Sequence, residues 1–226
     1  MFLIFGVYFC TVEDVTFYAF DKSNTWGEAW QNKGFRTKLI ASLLIFVGLL
    51  LFLPHFFAFI EKREGVVIND WILQLIPAKN FSVIIFILIW SVFLLAIIRS
   101  VQEPAVSLMI LLSVVIILFL RILTIYFVIL DPPPGLIVLT DPLTSLTYGG
   151  KGIFITKDLF FSGHTSNLFI VYLCVQKKAD KIFVLLSTIT VGILVLVQHV
   201  HYSMDVIGAF FITWLVVKWV KNLLSA

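Results

Sequence analysis

The stretch "FVLLSTITVGILVLVQHVHYSMDVIGAFFITWLVV", residues 183–217, decides the fold of this chain. Two almost wholly apolar runs flank its polar segment "HVHYSMD", residues 199–205. A helix needs about 20 mostly apolar residues to cross a bilayer, and each run with its neighbours approaches that length. We therefore predict two membrane-spanning helices that meet at a turn containing two histidines.

The composition of the whole chain supports a membrane environment. Of its 226 residues, 61% are hydrophobic and only 13% are charged, whereas a soluble domain carries about 25% charged residues. The mean hydropathy is +1.08. The net charge of +3 comes from scattered basic residues, without the basic stripe that marks nucleic-acid binding. We expect lipid, and no nucleic acid, as the partner.

Apolar runs without strand-like alternation favour helices over a transmembrane barrel. We predict an all-α, polytopic membrane protein built as a six-helix bundle. Residues 1–36 are expected to form an N-terminal cytoplasmic or interfacial arm, and residues 37–226 the membrane domain. The predicted spans are 38–60, 81–98, 105–130, 159–176, 182–199 and 205–221.

The distribution of basic residues between the loops predicts the orientation, because cytoplasmic loops carry an excess of Lys and Arg. With a cytoplasmic N-terminus, the inner regions hold ten basic residues: Lys22, Lys33, Arg36, Lys38, Arg99, Lys177, Lys178, Lys181, Lys218 and Lys221. The outer loops hold five: Lys62, Arg63, Lys79, Lys151 and Lys157. We therefore expect both termini to be cytoplasmic and the polar segment 199–205 to be extracytoplasmic.

A second polar segment, "DLFFSGHTS" at residues 158–166, opens the fourth predicted span. The six-span topology puts it on the same membrane face as residues 199–205. The 37 positions from His164 to His201 suit a descent through one helix and a return through the next. Ionisable residues at membrane depth are costly, so a group of them indicates a functional site.

The residue types in this group suit phosphoryl transfer. His201 and Asp205 are spaced i, i+4, so on a helix they share a face, and the carboxylate would hold the imidazole in one tautomer. The ring is then a nucleophile that forms a phosphohistidine, and His164 protonates the leaving oxygen. Arg121, inside the third span, would stabilise the phosphate charge or would neutralise Asp131 or Asp141.

Other interpretations stay open for individual residues. His199 points elsewhere on a helix than His201, so we expect a packing or supporting role for it, and His55 is taken as structural. His199, His201 and Asp205 include metal-ligand types, but they lack the glutamate base of the H-E-x-x-H zinc pattern. We predict no metal and no cofactor.

Three segments together resemble a known family. "KDLFFSGHT" at 157–165 is similar to G-D-x₃-S-G-H-T, and "HVHYSMDV" at 199–206 is similar to H-x-H-Y-[ST]-x-D-[VI]. "RILTIY" at 121–126, followed by "DPPPG" at 131–135, resembles a third motif. These are patterns of the sphingomyelin synthase-like branch of the lipid-phosphatase (PAP2) superfamily, and the likeness runs from Arg121 to Trp214.

The resemblance implies His201 as nucleophile, Asp205 as its partner and His164 as the acid and base. The candidate substrate-binding residues are Asp158, Ser162, Gly163, Thr165, Arg121 and Tyr202. The chain departs from the branch at Lys157, where the family has glycine. Ordinary PAP2 phosphatases carry a Ser-Arg pair where this chain has Leu194-Val195, which favours transfer over simple hydrolysis.

The leading hypothesis is thus an integral-membrane lipid phosphotransferase. It would move a phosphocholine- or phosphoethanolamine-like headgroup from a glycerophospholipid to ceramide or diacylglycerol. One alternative is a lipid phosphatase or phospholipase C-like hydrolase that uses the same site. The other is a non-catalytic lipid-binding or transport protein. A homo-oligomer is compatible with the sequence.

Overall fold

The computed structural model describes residues 25–139 and 155–225. Its helices are α1 (Trp26–Gln31), α2 (Lys33–Ile60), α3 (Trp71–Gln74), α4 (Ser82–Gln102), α5 (Pro104–Phe127), α6 (Gly163–Cys174), α7 (Lys178–Val197) and α8 (Ser203–Ser225). Across these described ranges the only extended pairing is an isolated bridge between Val66 and Leu130. The all-α class predicted from the sequence is confirmed.

Five helices, α2, α4, α5, α7 and α8, are long and apolar enough to cross a membrane. Their positions agree with five of the six predicted spans. Many of their outward-facing side chains are apolar and exposed, such as Leu51 on α2 and Val83 on α4. Apolar residues on both the inner and the outer faces of a helix are typical of a membrane span. The fold is that of a multi-pass membrane protein.

The remaining predicted span, 159–176, corresponds to the shorter helix α6. Twelve residues extend about 18 Å, whereas the hydrocarbon core of a bilayer is about 30 Å thick. Helix α6 packs against α4, α5, α7 and α8, and Asn167 is its only exposed residue. Backbone that lies inside protein is not required to span the lipid alone. In the described residues, four of the five long helices thus enclose one short helix, and α2 packs outside them against α5.

Local signals explain where the helices begin. The side chain of Asn32 accepts a hydrogen bond from Phe35 N and caps α2. Helix α2 therefore includes residues 33–36 of the predicted N-terminal arm, and residues 1–24 of that arm lie outside the described residues. Pro104 opens α5, and the extended backbone of Glu103 before it ends α4 and reverses the chain.

Contacts between loops place the helix termini at two ends of the bundle. At one end Lys79 N donates to Val197 O and Val66 N donates to Ile129 O. At the other end Arg99 pairs with Asp180. We call the first the histidine end; it is formed by Ile60, Ser82, Phe127, Gly163, Val197 and Ser203. The helices alternate in direction as the topology requires, and the assignment of the histidine end to the extracytoplasmic face stays a prediction.

Candidate active site

His201 and Asp205 form a buried pair at the start of α8. His201 Nδ1 lies 3.3 Å from Asp205 Oδ2, and each side chain is only 1% exposed. An ionised carboxylate accepts hydrogen bonds and donates none, so this contact places the ring proton on Nδ1. Nε2 keeps its lone pair and is the ring atom available for attack on an electrophile.

The turn before α8 brings these two side chains together. The predicted shared helical face is not the reason, because α8 begins at Ser203, after His201. Asp205 Oδ2 also accepts a hydrogen bond from Tyr202 N at 3.0 Å. An acidic side chain in the first turn that bonds back to the residue before the helix forms half of a capping box. Asp205 therefore caps α8 and holds His201 at the same time.

His164, the second residue of α6, faces His201. The two ring centroids are 6.0 Å apart and the ring planes are inclined by 64°. Ser162 caps α6, since its side chain accepts a hydrogen bond from Thr165 N and its backbone oxygen accepts one from Ser166 Oγ. This cap fixes the start of α6 and with it the position of His164. The helical hairpin of α6 and α7 thus joins the two histidine segments at one place.

Arg121 on α5 braces the turn that precedes His164. Its Nε donates to Phe161 O at 3.0 Å, and its Nη2 lies 2.5 Å from Asp158 Oδ1. The predicted partner Asp131 pairs instead with Lys157 at 2.6 Å, and Asp141 lies outside the described residues. The guanidinium is therefore held by the 158–161 segment, and its contact with a substrate phosphate stays a prediction.

Asp158 lies close enough to both histidines to interact with their charges. Burial disfavours its ionised form, but the charge and hydrogen bond of Arg121 outweigh burial, and His201 and His164 act in the same direction. The pKa of Asp158 is therefore lowered from its ordinary value of 3.8.

The other candidate substrate-binding residues have internal partners. Ser162 Oγ is 3.2 Å from Thr165 Oγ1, and both residues are fully buried. The hydroxyl of Tyr202, also fully buried, accepts a hydrogen bond from Ile68 N and donates one to Asp131 O. Burial raises the pKa of Tyr202. These contacts give Ser162, Thr165 and Tyr202 roles in shaping the site, and their contact with substrate stays a prediction.

His199 lies apart from the His164–His201 pair and connects two loops. Its Nδ1 is 2.8 Å from Pro134 O and its Nε2 is 2.9 Å from Ile76 O. Its backbone φ is 55°, a conformation that few non-glycine residues adopt. Gly135, which lies against the ring of His199, has a φ of 80°. This geometry supports a structural role for His199, which connects the two loops. His55 is an exposed residue of α2.

Two buried polar residues near the site, Gln198 and Asp70, are not among the site residues predicted from the sequence. Gln198, fully buried, accepts from Phe81 N and donates to Ser82 Oγ and Ile137 O. Asp70, 8% exposed, accepts from Ser203 N at 2.6 Å. The only sequence signal for Gln198 is an amide at the end of an apolar run. Asp70 lies in a loop and gives no local signal.

In residues 25–139 and 155–225, no three His, Cys, Asp or Glu side chains are grouped as metal ligands would be. Residues 157–223 match the family model described as "PAP2 superfamily C-terminal". No curated protein matches the chain. The matched region includes both histidine segments and Asp205, so this part of the chain is similar to the C-terminal region of the PAP2 superfamily.

Proposed function

We propose that this chain is a lipid phosphotransferase in which His201 carries the phospho-headgroup between two lipids. The observation that supports this most directly is the geometry of the pair: His201 Nδ1 is held by Asp205, and the ring of His164 lies across from it. A nucleophile oriented by a carboxylate, with a second proton-transferring group opposite, is the arrangement that nucleophilic catalysis requires.

In the first step His201 Nε2 attacks the phosphorus of a glycerophospholipid. A P–N bond forms, and the bond from phosphorus to the glycerol oxygen breaks. His164, in its protonated form, donates its proton to that oxygen, so diacylglycerol leaves as a neutral alcohol. Asp205 stabilises the positive charge on the phosphorylated ring through Nδ1–H.

In the second step His164, now neutral, takes the proton from the hydroxyl of an acceptor lipid. The hydroxyl oxygen attacks phosphorus, the P–N bond breaks, and His201 is regenerated as the neutral imidazole. Ceramide and diacylglycerol are the proposed acceptors, because each presents a hydroxyl at the depth of lipid phosphates. No metal or nucleotide takes part in either step.

The residues that replace the phosphatase Ser-Arg pair favour transfer over hydrolysis. Val195 is fully buried and packs in a cluster with Val191, Val184 and Leu168, and Leu194 packs against the same cluster. An apolar pair provides no charge for a free phosphate monoester. Two basic residues near the site are also paired, Arg121 of α5 with Asp158 and Lys157 with Asp131. A phosphodiester, with a single negative charge, needs less compensation than a monoester.

The test is reconstitution of the purified chain with headgroup-labelled phosphatidylcholine or phosphatidylethanolamine, with and without ceramide. Product analysis by mass spectrometry distinguishes the outcomes. Label in a ceramide product supports transfer. Water-soluble phospho-headgroup in the same amount with and without ceramide would instead identify a hydrolase. Absence of any product from wild type and from His201→Ala alike would contradict catalysis.

A further inference from the structure

The loop between α2 and α4 contains a short element that the proposed reaction does not use. We call residues 64–78, which include α3, the bracket segment. The bracket segment contacts the turn that carries His201 at three points: Ile68 N donates to Tyr202 OH, Ser203 N donates to Asp70 Oδ2, and His199 Nε2 lies 2.9 Å from Ile76 O. The bracket segment thus holds the turn together with the 131–137 segment, which contacts Tyr202, His199 and Gln198.

Asp70 carries the shortest of these contacts and caps two helices. Its Oδ1 accepts from Ile72 N at 3.0 Å and from Leu73 N at 3.3 Å, which caps α3. Its Oδ2 accepts from Ser203 N at 2.6 Å, at the first residue of α8. Unpaired N–H groups at a helix start are costly when buried, so this carboxylate stabilises both starts.

The remaining contact between the bracket segment and the turn is incomplete. Leu73 packs with Leu159 and Tyr202 in a small apolar cluster. Beside this cluster lies a cavity of about 530 Å³, lined by both the bracket segment and the turn. Because the packing is open there, the bracket segment holds the turn mainly through the hydrogen bonds described above.

The opposite side of the bracket segment is apolar and exposed. Trp71 is 69% exposed and Leu75 is 77% exposed. The segment begins and ends beside the membrane-spanning helices α2 and α4, whose exposed side chains near these ends include Phe59 and Val83. The exposed apolar side chains of the segment therefore lie between two spans whose outer faces are also apolar, and lipid is the occupant that this position favours.

The residues that flank the bracket segment suit the same occupant. Tryptophan is enriched at the boundary between lipid and water, where its ring is apolar and its N–H is polar. Lys62 and Lys79, both exposed, stand on either side of the segment, and lysine side chains beside a membrane are attracted to its phosphates.

We propose that the bracket segment binds the bilayer surface through Trp71 and Leu75 and holds the His201 turn through Asp70, so that contact with lipid sets the geometry of the catalytic pair. Asp70 is a positioning residue in this proposal. The catalytic consequence rests on the proposed function, whereas lipid contact and the hold on Ser203 do not.

Lipid contact is tested by fluorescence quenching in proteoliposomes. Trp71→Cys and Leu75→Cys are prepared with Cys10 replaced by Ser, while Cys174 stays in place because it is buried. A fluorophore at each position is exposed to lipid-borne nitroxide or to aqueous iodide. Gln74→Cys, on an exposed polar position of the same segment, is the matched control. We expect labels at 71 and 75 to be quenched mainly by the nitroxide; equal iodide quenching at all three positions would overturn lipid contact.

The coupling is tested by hydrogen exchange of the peptide that contains residues 199–205. In liposomes the double variant Trp71→Ala/Leu75→Ala should exchange this peptide faster than wild type. Trp219→Ala removes an indole that is 56% exposed near the other end of α8, and it should leave the exchange unchanged. If the double variant exchanges like wild type, lipid contact does not reach the turn. This readout is independent of any catalytic activity.

Two variants distinguish the contact of Asp70 with Ser203 from its capping of α3. Asp70→Ser retains one oxygen that caps α3 but is too short to reach Ser203 as well, whereas Asp70→Ala loses both contacts. We expect both variants to speed exchange at Ser203 and to lower kcat by about 10- to 100-fold, with KM for lipid little changed. If Asp70→Ser is fully active and its hydrogen exchange matches that of wild type, the role of Asp70 is only to cap α3. If neither wild type nor the variants are active, the rate of hydrogen exchange at Ser203 alone tests the role of Asp70.

Discussion

Gly163 lies directly against the guanidinium of Arg121. A Cβ at position 163 would come within 2.1 Å of Arg121 Nη1 and 2.5 Å of Arg121 Cζ. The glycine before His164 is thus required by space, because the side chain of Arg121 crosses the start of α6 to reach Phe161 O and Asp158. The positions of His164 and of the Arg121–Asp158 pair depend on one another.

Gly163→Ala should therefore displace Arg121 or the start of α6 and misplace His164. We expect kcat for headgroup transfer to fall by about 100-fold, the loss that a misplacement of about 1 Å causes. Gly48→Ala is the matched control, since nothing lies within 4 Å of a Cβ at that position. A Gly163→Ala enzyme as active as the Gly48→Ala enzyme would show that the Arg121 contact has no influence on the site.

Asp205→Asn should remove the acceptor that selects the Nδ1–H tautomer of His201. The amide has the same size as the carboxylate, but it does not favour the His201 tautomer in which Nε2 carries no proton. By analogy with a catalytic histidine that has lost its carboxylate, we expect kcat to fall by about 10³- to 10⁴-fold. Steady-state kinetics in mixed micelles measures this effect, and KM should change little. A large rise in KM with normal kcat would assign Asp205 to substrate binding instead.

The Arg121–Asp158 pair should be seen in a double-mutant cycle. Arg121→Ala leaves a largely buried carboxylate without its partner, and we expect destabilisation of up to about 3 kcal/mol, below the value for a fully enclosed pair. Replacing Asp158 as well by Asn should restore part of this loss. The midpoint of denaturant unfolding in micelles is the measurement. Additive losses in the double variant would show that the two side chains do not interact.

Acid should weaken the contact between Asp131 and Lys157. The hydrogen bond and charge of Lys157 keep the pKa of Asp131 below its ordinary value of 3.8, although burial acts in the opposite direction. A carboxyl whose pKa is lowered on folding adds stability above its unfolded-state pKa, and this stability is lost as pH falls through the folded-state value. Because both side chains are partly exposed, the contribution should be below about 1 kcal/mol.

Thermal unfolding in detergent at a series of pH values tests this. Asp131→Asn should lower the Tm at neutral pH and should have little effect once the pH is well below 3.8. Asp180→Asn is a useful comparison, because Asp180 pairs with Arg99 at the opposite end of the bundle. An Asp131→Asn effect that is independent of pH would mean that the carboxylate charge does not contribute.

Hydropathy predicted the five long helices because lipid contact demands long apolar runs, and residues 183–217 already include most of α7 and of α8. It overestimated the length of α6, since an enclosed helix is apolar for a different reason: Ile170 and Val171 contact other helices. The sequence pattern does not distinguish burial in protein from burial in lipid.

The two histidine segments were predicted from their polar residues in apolar surroundings. Their supporting partners were harder to predict, because such pairs depend on tertiary contacts. Arg121 and Asp158 are 37 positions apart, and Asp70 and Ser203 are 133 apart. Neither pair has a local spacing that a helix or turn would impose. The i, i+4 spacing of His201 and Asp205 did indicate their contact, although a capping turn rather than a helix produces it.

The most direct test of the account is detection of the phospho-headgroup on His201 itself. Purified protein is mixed with headgroup-labelled phospholipid in the absence of acceptor, quenched at alkaline pH where phosphohistidine survives, digested and examined by mass spectrometry. We predict the adduct on the peptide that contains His201, its absence in His201→Ala, and its loss when ceramide is added before the quench. Headgroup transfer by His201→Ala, or an adduct on His164 instead, would contradict the account.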